Sequence, residues 1–275
     1  FPGFCLILES KRIASEMSWQ EETDMDSILE ICCGSFEDVK TAWENGADRV
    51  ELNSALYLGG LTPSLANLVC AKEQCRIPIV AMVRPRGGGF CYSEEEYQTM
   101  ILDTKLLLGH GADGIAFGFL KENGTLDTER TKEVIGLIHE QGCEAVFHRA
   151  FDCTFDQKKM MEQLITLGAD RVLTSGRAPD AWTGRETLKQ LQSEYGKEIT
   201  ILAGSGVNEK NVAELIESTG IHQVHSSCRS WLTDRTTSKG SVDFSYADAE
   251  HVNQYEAVDP EKVRRLSARF HLTNP

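Results

Sequence analysis

Acidic, basic and thiol side chains stand at the ends of short apolar runs in this chain. The run Ile28–Cys33 carries Glu30 and Cys32 on one face and ends at Cys33, and Arg49–Leu52 carries Glu51 and leads into Asn53. Successive strand residues point to opposite faces, so Glu30 pairs with Cys32 and Glu51 with Asn53. If adjacent strands turn both pairs inward, the two carboxylates approach and one rises in pKa enough to serve as a general acid or base. Arg84, Arg86 and His148 then supply cations or donors to an anionic group, and Asp152 follows closely in His148-Arg149-Ala150-Phe151-Asp152. Gly204-Ser205-Gly206 and Ser226 follow two later runs, a position where barrel enzymes hold phosphate on backbone N–H groups. The residue types therefore suit a lyase, isomerase or hydrolase acting on a small anionic or sugar-like substrate. Glu30, Glu51, Arg84, His148 and Asp152 are its candidate catalytic groups, and Arg86, Gly204, Ser205, Gly206 and Ser226 its candidate ligand binders.

Each of these residues also has a plainer reading. Glu51 and Arg84 suit a buried structural ion pair, His148 a hydrogen-bonded core histidine, and Gly204-Ser205-Gly206 a tight turn without a ligand. A different chemistry comes from sulfur. Cys32, Cys33, Cys91, Cys153 and Cys228 fall near the ends of apolar runs, with Met82 close by. Soft thiolate and thioether ligands select Cu(I), whereas a free cysteine without partners is a small apolar filler.

A repeated unit positions these residues. Gly46-Ala47-Asp48 precedes Arg49–Leu52, Gly111-Ala112-Asp113 precedes Gly114–Phe117, and Gly168-Ala169-Asp170 precedes Arg171–Thr174. Looser copies start at Gly142 and Gly220, and further strands are expected over 28–33, 78–83 and 199–203. Glycine after a helix adopts the left-handed conformation without a Cβ clash, and a short apolar run after it suits a strand covered on both faces. Ser35 with Asp38, and Ser93 with Glu96, have the spacing of helix caps, while Asn208 and Asp259-Pro260 are expected to open two later helices. Val263, Leu266 and Phe270 form one apolar stripe on the last helix. Eight strand–helix units of about 30 residues predict an α/β fold, a single-domain (β/α)8 TIM barrel. The sequence has no Gly-rich first turn of the kind an open doubly wound sheet uses. The polar stretch 231–258 fits no unit and is expected to be an excursion at one barrel end, as a lid or an oligomer contact.

The chain has 275 residues, 41% of them hydrophobic, and a formal charge of −14 from 42 acidic and 28 basic side chains. That balance, without a basic run, argues against nucleic acid and anionic membrane as partners. No apolar stretch reaches the ~20 residues of a membrane span. Residues 1–24 read as an N-terminal extension ahead of Met25, natural or left by cloning, outside a barrel domain over 25–275. Nine cysteines, an odd number without a C-x-x-C pair, suit reduced thiols in the cytoplasm.

Four segments carry a resemblance. Gly59-Gly60-Leu61-Thr62-Pro63-Ser64, Met82-Val83-Arg84-Pro85-Arg86-Gly87-Gly88, Phe147-His148-Arg149-Ala150-Phe151-Asp152 and Val172-Leu173-Thr174-Ser175-Gly176 resemble, in order and spacing, those of the CutC family. The resemblance spans most of the chain, from about Asp26 to Val224. It implies a cytoplasmic barrel that is a homo-oligomer, has a metal or small molecule as its partner, and serves copper tolerance. It also implies Cu(I) binding through a cysteine after the first strand, which matches Cys32. The family's animal members place a second cysteine after strand two, where this chain has Asn53.

Overall fold

The computed structural model describes residues 27–273, so the expected extension over 1–24 lies outside the described residues. Eight parallel strands close into a barrel in sequence order: β1 (Ile28–Cys33), β2 (Arg49–Leu52), β3 (Ile79–Met82), β4 (Gly114–Phe117), β5 (Glu144–Phe147), β6 (Arg171–Thr174), β7 (Thr200–Gly204) and β8 (Gln223–Ser226). β8 pairs back onto β1, with Glu30 beside His225. Helices α1 (Phe36–Glu44), α2 (Leu65–Gln74), α3 (Glu94–Gly109), α4 (Thr128–His139), α5 (Gln157–Leu167), α6 (Arg185–Tyr195) and α7 (Val212–Thr219) lie between successive strands, and α8 (Pro260–Thr273) completes the ring. The expected (β/α)8 TIM barrel is the fold observed. Among the described residues no helix is long and apolar enough to cross a membrane.

The Gly-Ala-Asp repeat has a definite job in this architecture. Gly46, Gly111 and Gly168 take φ of +97°, +92° and +84°, which only glycine adopts without strain. The aspartate two residues later then caps the preceding strand. Asp48 accepts from the Leu29 amide at 2.8 Å, Asp113 from Ile79 at 2.7 Å and Asp170 from Ala145 at 2.7 Å. Each step thereby ties a strand entry to its neighbour and fixes the register of β1 on β2, β3 on β4 and β5 on β6.

Alternation divides the strand residues between two environments. Leu29, Ile31, Val50 and Leu52 face outward into one core shared with Val39, Ala42, Val263, Leu266 and Phe270 of the helices. Each such side chain contributes about 1.5–3 kcal/mol when buried. Inward, the interior is asymmetric. Val80, Met82, Ala116 and Val146 form an apolar cluster on the β3–β5 side, whereas Glu30, Arg49, Glu51 and Arg171 are buried on the side of β1, β2 and β6.

Ser35 caps α1 and Ser93 forms a capping box with Glu96 on α3, while Asp259 accepts from the Glu261 and Lys262 amides at the start of α8. Asn208 caps a turn instead of a helix: its side chain accepts from Lys210, and α7 starts four residues later. The 231–258 excursion is a small antiparallel flap. β9 (Arg229–Thr233) pairs with β12 (Gln254–Val258), and β10 (Ser238–Lys239) with β11 (Val242–Asp243). Tyr246 of the flap stacks on Tyr57 at 4.5 Å, and the Val258 amide donates to Asp38 at 2.8 Å, so the flap rests on the β1 and β2 side of the mouth.

Candidate functional site

At the C-terminal end of the barrel lies a cavity of about 210 Å³, lined by Cys32, Glu51, Asn53, Met82, Arg84, Phe90, His148, Leu173 and His225 among others. Among the described residues, four other than glycine take positive φ: Ala55, Arg177, Ser205 and Cys228. All four lie in loops that leave strands at this end, so backbone strain is concentrated around the cavity, as at functional sites generally.

Below the cavity sits a buried charge network. Glu30, 1% exposed, pairs with Arg49, lies 3.5 Å from Arg171 Nη1 and accepts from His225 Nδ1 at 2.8 Å. Arg171 also pairs with Glu144, and Arg49 donates to Gln223 at 3.0 Å. Burial pushes the Glu30 carboxyl up, but Arg49, the His225 hydrogen bond and Arg171 outweigh it and hold the group well below the usual carboxylate range. Glu30 is therefore a permanent anion that orients His225, one layer beneath the cavity.

Above it, three donor atoms converge. Cys32 Sγ, a Glu51 carboxylate oxygen and a His225 ring nitrogen lie within 4.8 Å of one another. The β1–β2 register places Cys32 beside Glu51. The Cys32 thiol faces Glu51 Oε2 at 3.8 Å, and Asn53 Nδ2 donates to that same oxygen at 2.8 Å and to the sulfur at 3.5 Å. Because His225 Nδ1 is committed to Glu30, Nε2 is the ring nitrogen left for a ligand. Burial lowers the His225 pKa, yet the hydrogen bonds to Cys32 and Glu30 and the charge of Glu51 lift it well above the ordinary histidine value. Burial raises the Cys32 thiol, which His225 only partly offsets, and burial with the Glu30 charge raises Glu51. These shifts favour the protonated imidazole, the neutral thiol and the protonated Glu51 carboxyl.

The remaining candidates from the sequence are distributed as follows. Arg84 lines the cavity but does not pair with Glu51. Its guanidinium donates to the carbonyls of Leu58, Gly60 and Gly88 at 3.0, 3.1 and 2.6 Å and lies over the Phe90 ring. His148 also lines the cavity. Its pKa is pulled down to about 3 by burial and by Arg84, which keeps the ring neutral. Gly118 makes room for it, since a Cβ there would stand 2.6 Å from His148 Nδ1 and 2.9 Å from the Ala150 methyl. Gly118→Ala is expected to destabilise the fold by about 1–3 kcal/mol, through overpacking at a site that cannot yield. Urea denaturation would read this, and an unchanged midpoint would contradict it.

Asp152 serves the loops instead of the cavity. It accepts from Thr174 Oγ1, the Ser175 amide and hydroxyl, the Arg177 amide and Arg149 Nε, at 2.5 to 3.3 Å. One carboxylate thereby joins the loops after β5 and β6 and holds Arg177 at its positive φ. Asp152→Ala leaves these donors unanswered and should cost about 2–4 kcal/mol; a thermal melt shifted by less than a degree would refute that anchoring role. Arg86 pairs with Glu96, lies over Tyr92 and donates to Gly87, Gly89 and Cys91 carbonyls, so it shapes the β3–α3 loop. Ser205 and Ser226 donate their hydroxyls to the Pro179 and Val207 carbonyls. Gly206 and Ser226 line a separate open hollow of about 360 Å³, while Gly204 packs against Leu173 and His225.

His225, Arg49 and Arg171 carry no functional assignment from the sequence alone. His225 stands at the end of β8, a position that marks functional side chains in a barrel. Both arginines directly follow a Gly-Ala-Asp step, and a charged residue opening an otherwise apolar strand was the available signal.

Comparison with known proteins bears on the whole of this region. The CutC family profile matches residues 27–230. A family protein named CutC from Treponema denticola is 47% identical over 197 residues, 72% of this chain and 79% of its own length. One from Bacteroides fragilis is 38% identical over 232 residues, 83% of this chain and 90% of its own length. A crystal structure from Streptococcus agalactiae, of a protein described as a candidate copper homeostasis protein CutC, superposes with a TM-score of 0.69 at 31% identity. It covers 74% of this chain and 99% of its own.

Proposed function

This chain belongs to the CutC family, and from that premise we propose that it serves copper homeostasis in the cytoplasm by holding one Cu(I) ion between Cys32 and His225. The convergence of Cys32, Glu51 and His225 donor atoms within 4.8 Å at the barrel mouth carries this reading. Cu(I) favours soft sulfur and accepts imidazole, in low coordination number, so thiolate and Nε2 suit it and the hard carboxylate is the poorest of the three donors. Glu30 supplies the partner that metal-binding histidines typically have, a carboxylate on the far ring nitrogen that fixes orientation and raises basicity.

Ligation requires the thiol and the imidazolium to lose their protons. Glu51 Oε2, in its ionised form, is at hand for the thiol proton, and the imidazolium proton leaves to solvent. The amide of Asn53, donating to Cys32 Sγ, supports the thiolate that results. Asn53 therefore assists the sulfur where the resemblance would place a second one, and the site becomes sulfur–nitrogen in character. Cys33 is no substitute, because it faces the outer core and its thiol is raised well above its usual value by burial. All eight cysteines among the described residues are free, which suits a reducing compartment.

Anaerobic Cu(I) titration against a competing chelator tests the proposal. One ion per chain, retained against the chelator by wild type and by Cys33→Ser but lost in Cys32→Ser, is expected. Binding unchanged in Cys32→Ser would overturn it.

A further inference from the structure

The wall of the mouth on the β3–β5 side carries donors that copper binding does not use. His148 is 3% exposed, and its Nδ1 accepts from the Ala150 amide at 3.2 Å. The proton of the neutral ring therefore sits on Nε2, and that N–H is buried without an acceptor among the described residues. Arg84 is 5% exposed. Carbonyls of the neighbouring loops engage both of its terminal nitrogens, while its Nε–H is likewise buried without a hydrogen-bond acceptor among the described residues. Buried donors are almost always paired, so two left open beside one cavity ask for an acceptor. Among the described residues no carboxylate pairs with the guanidinium: loop carbonyls take its terminal N–H groups and the Tyr92 hydroxyl lies beside it, so its positive charge is not neutralised within the cavity wall.

The rest of the cavity wall complements this. Phe90, Met82, Leu173 and Leu56 are apolar. At about 210 Å³ the space falls below the roughly 300 Å³ at which drug-sized ligand sites begin, so it suits a small metabolite. The combination of a few convergent polar groups with apolar walls is the usual make-up of a small-molecule site.

We propose that the barrel mouth binds a small organic oxyanion, a carboxylate or a phosphate ester, with its oxygens on the His148 and Arg84 N–H groups and its carbon skeleton against Phe90, Met82 and Leu173. The neutral imidazole donates through Nε2, and the guanidinium supplies the charge. The other end of such a ligand faces Cys32, Glu51 and His225 across the cavity. The subsite does not depend on copper, because neither His148 nor Arg84 belongs to the converging donor set.

Isothermal titration calorimetry on the intact protein tests this with pyruvate, glycerol 3-phosphate and, as a neutral control, glycerol. Wild type, His148→Asn and Arg84→Lys are compared, each checked for fold by circular dichroism. Asparagine keeps an acceptor for the Ala150 amide but withdraws the ring N–H, and lysine keeps the charge but removes Nε–H. At least one of the two anions is expected to bind with Kd of about 1 mM or tighter, with glycerol silent. His148→Asn or Arg84→Lys, whichever folds, should weaken it about tenfold or more. The proposal falls if neither anion binds wild type, if glycerol binds equally well, or if the folded donor variants bind as wild type does. The titrations use copper-free protein, so failure here is separable from failure of the copper site.

Discussion

Glu30→Gln is expected to cost about 3–5 kcal/mol of folding stability, the range for breaking a buried ion network by removing one member. The carboxylate is shared by Arg49, Arg171 and His225, and it is 1% exposed. Glutamine keeps the volume but leaves those cations facing a neutral amide inside the barrel. Glu144 still answers Arg171 and Gln223 still answers Arg49, so part of the network survives at its outer ends. The wild type should also show the matching pH dependence. The folded pKa of Glu30 is depressed, so its contribution is present above the unfolded glutamate value of about 4.3 and is lost as pH falls through the folded value. Glu30→Gln should therefore have a flatter acid limb below about pH 4. Urea denaturation followed by circular dichroism at neutral and acid pH measures both effects. A loss under about 1 kcal/mol would mean that the network is not what holds the barrel floor.

His225→Ala is expected to weaken Cu(I) binding by more than about 100-fold, the upper end of what removal of an outer-shell partner costs a metal site. Its ring supplies the nitrogen of the converging set, with Nε2 left available by the Nδ1 bond to Glu30, and among the described residues the other imidazole lining the cavity is His148, after β5. Glu30→Gln, where it remains folded, should weaken binding by the smaller factor of about 10–100, because it removes only the carboxylate behind the ring. The order of the two effects matters more than either alone. A Glu30 variant that binds worse than the His225 variant would show that the histidine is not a ligand. The same chelator competition used for the wild type reads both.

The barrel could be read from the sequence because its signals are local. The Gly-Ala-Asp steps place a positive-φ glycine, a strand cap and an apolar run within eight residues, and that unit recurs around the ring. Cys32, Glu51, Arg84 and His148 could be read for the same reason: strand ends are local, and these four do meet in one cavity. Their partners could not. His225 and Glu30 are 195 residues apart in sequence, and Arg49 and Glu30 are joined only through the β1–β2 register. Asp152 shows the converse failure. A carboxylate after His148-Arg149 looks chemical, but the amides and hydroxyls that saturate it belong to the next loop, 22 to 25 residues on. Asn53 likewise reads as a lost ligand in sequence, and only its hydrogen bonds to Cys32 and Glu51 give it a part in the site. The flap over 231–258 was legible as an excursion but not as strands, because β10 and β11 are two residues each and carry no period.

X-ray absorption at the copper edge tests most directly whether a single thiolate and a single imidazole hold the ion. The intact protein would be loaded anaerobically with one equivalent of Cu(I) and its nearest scatterers counted. One sulfur together with nitrogen is expected, with the sulfur absent in Cys32→Ser. Two or more sulfurs per copper would contradict it, since a second cysteine or Met82 would then be a ligand and His225 would not define the site.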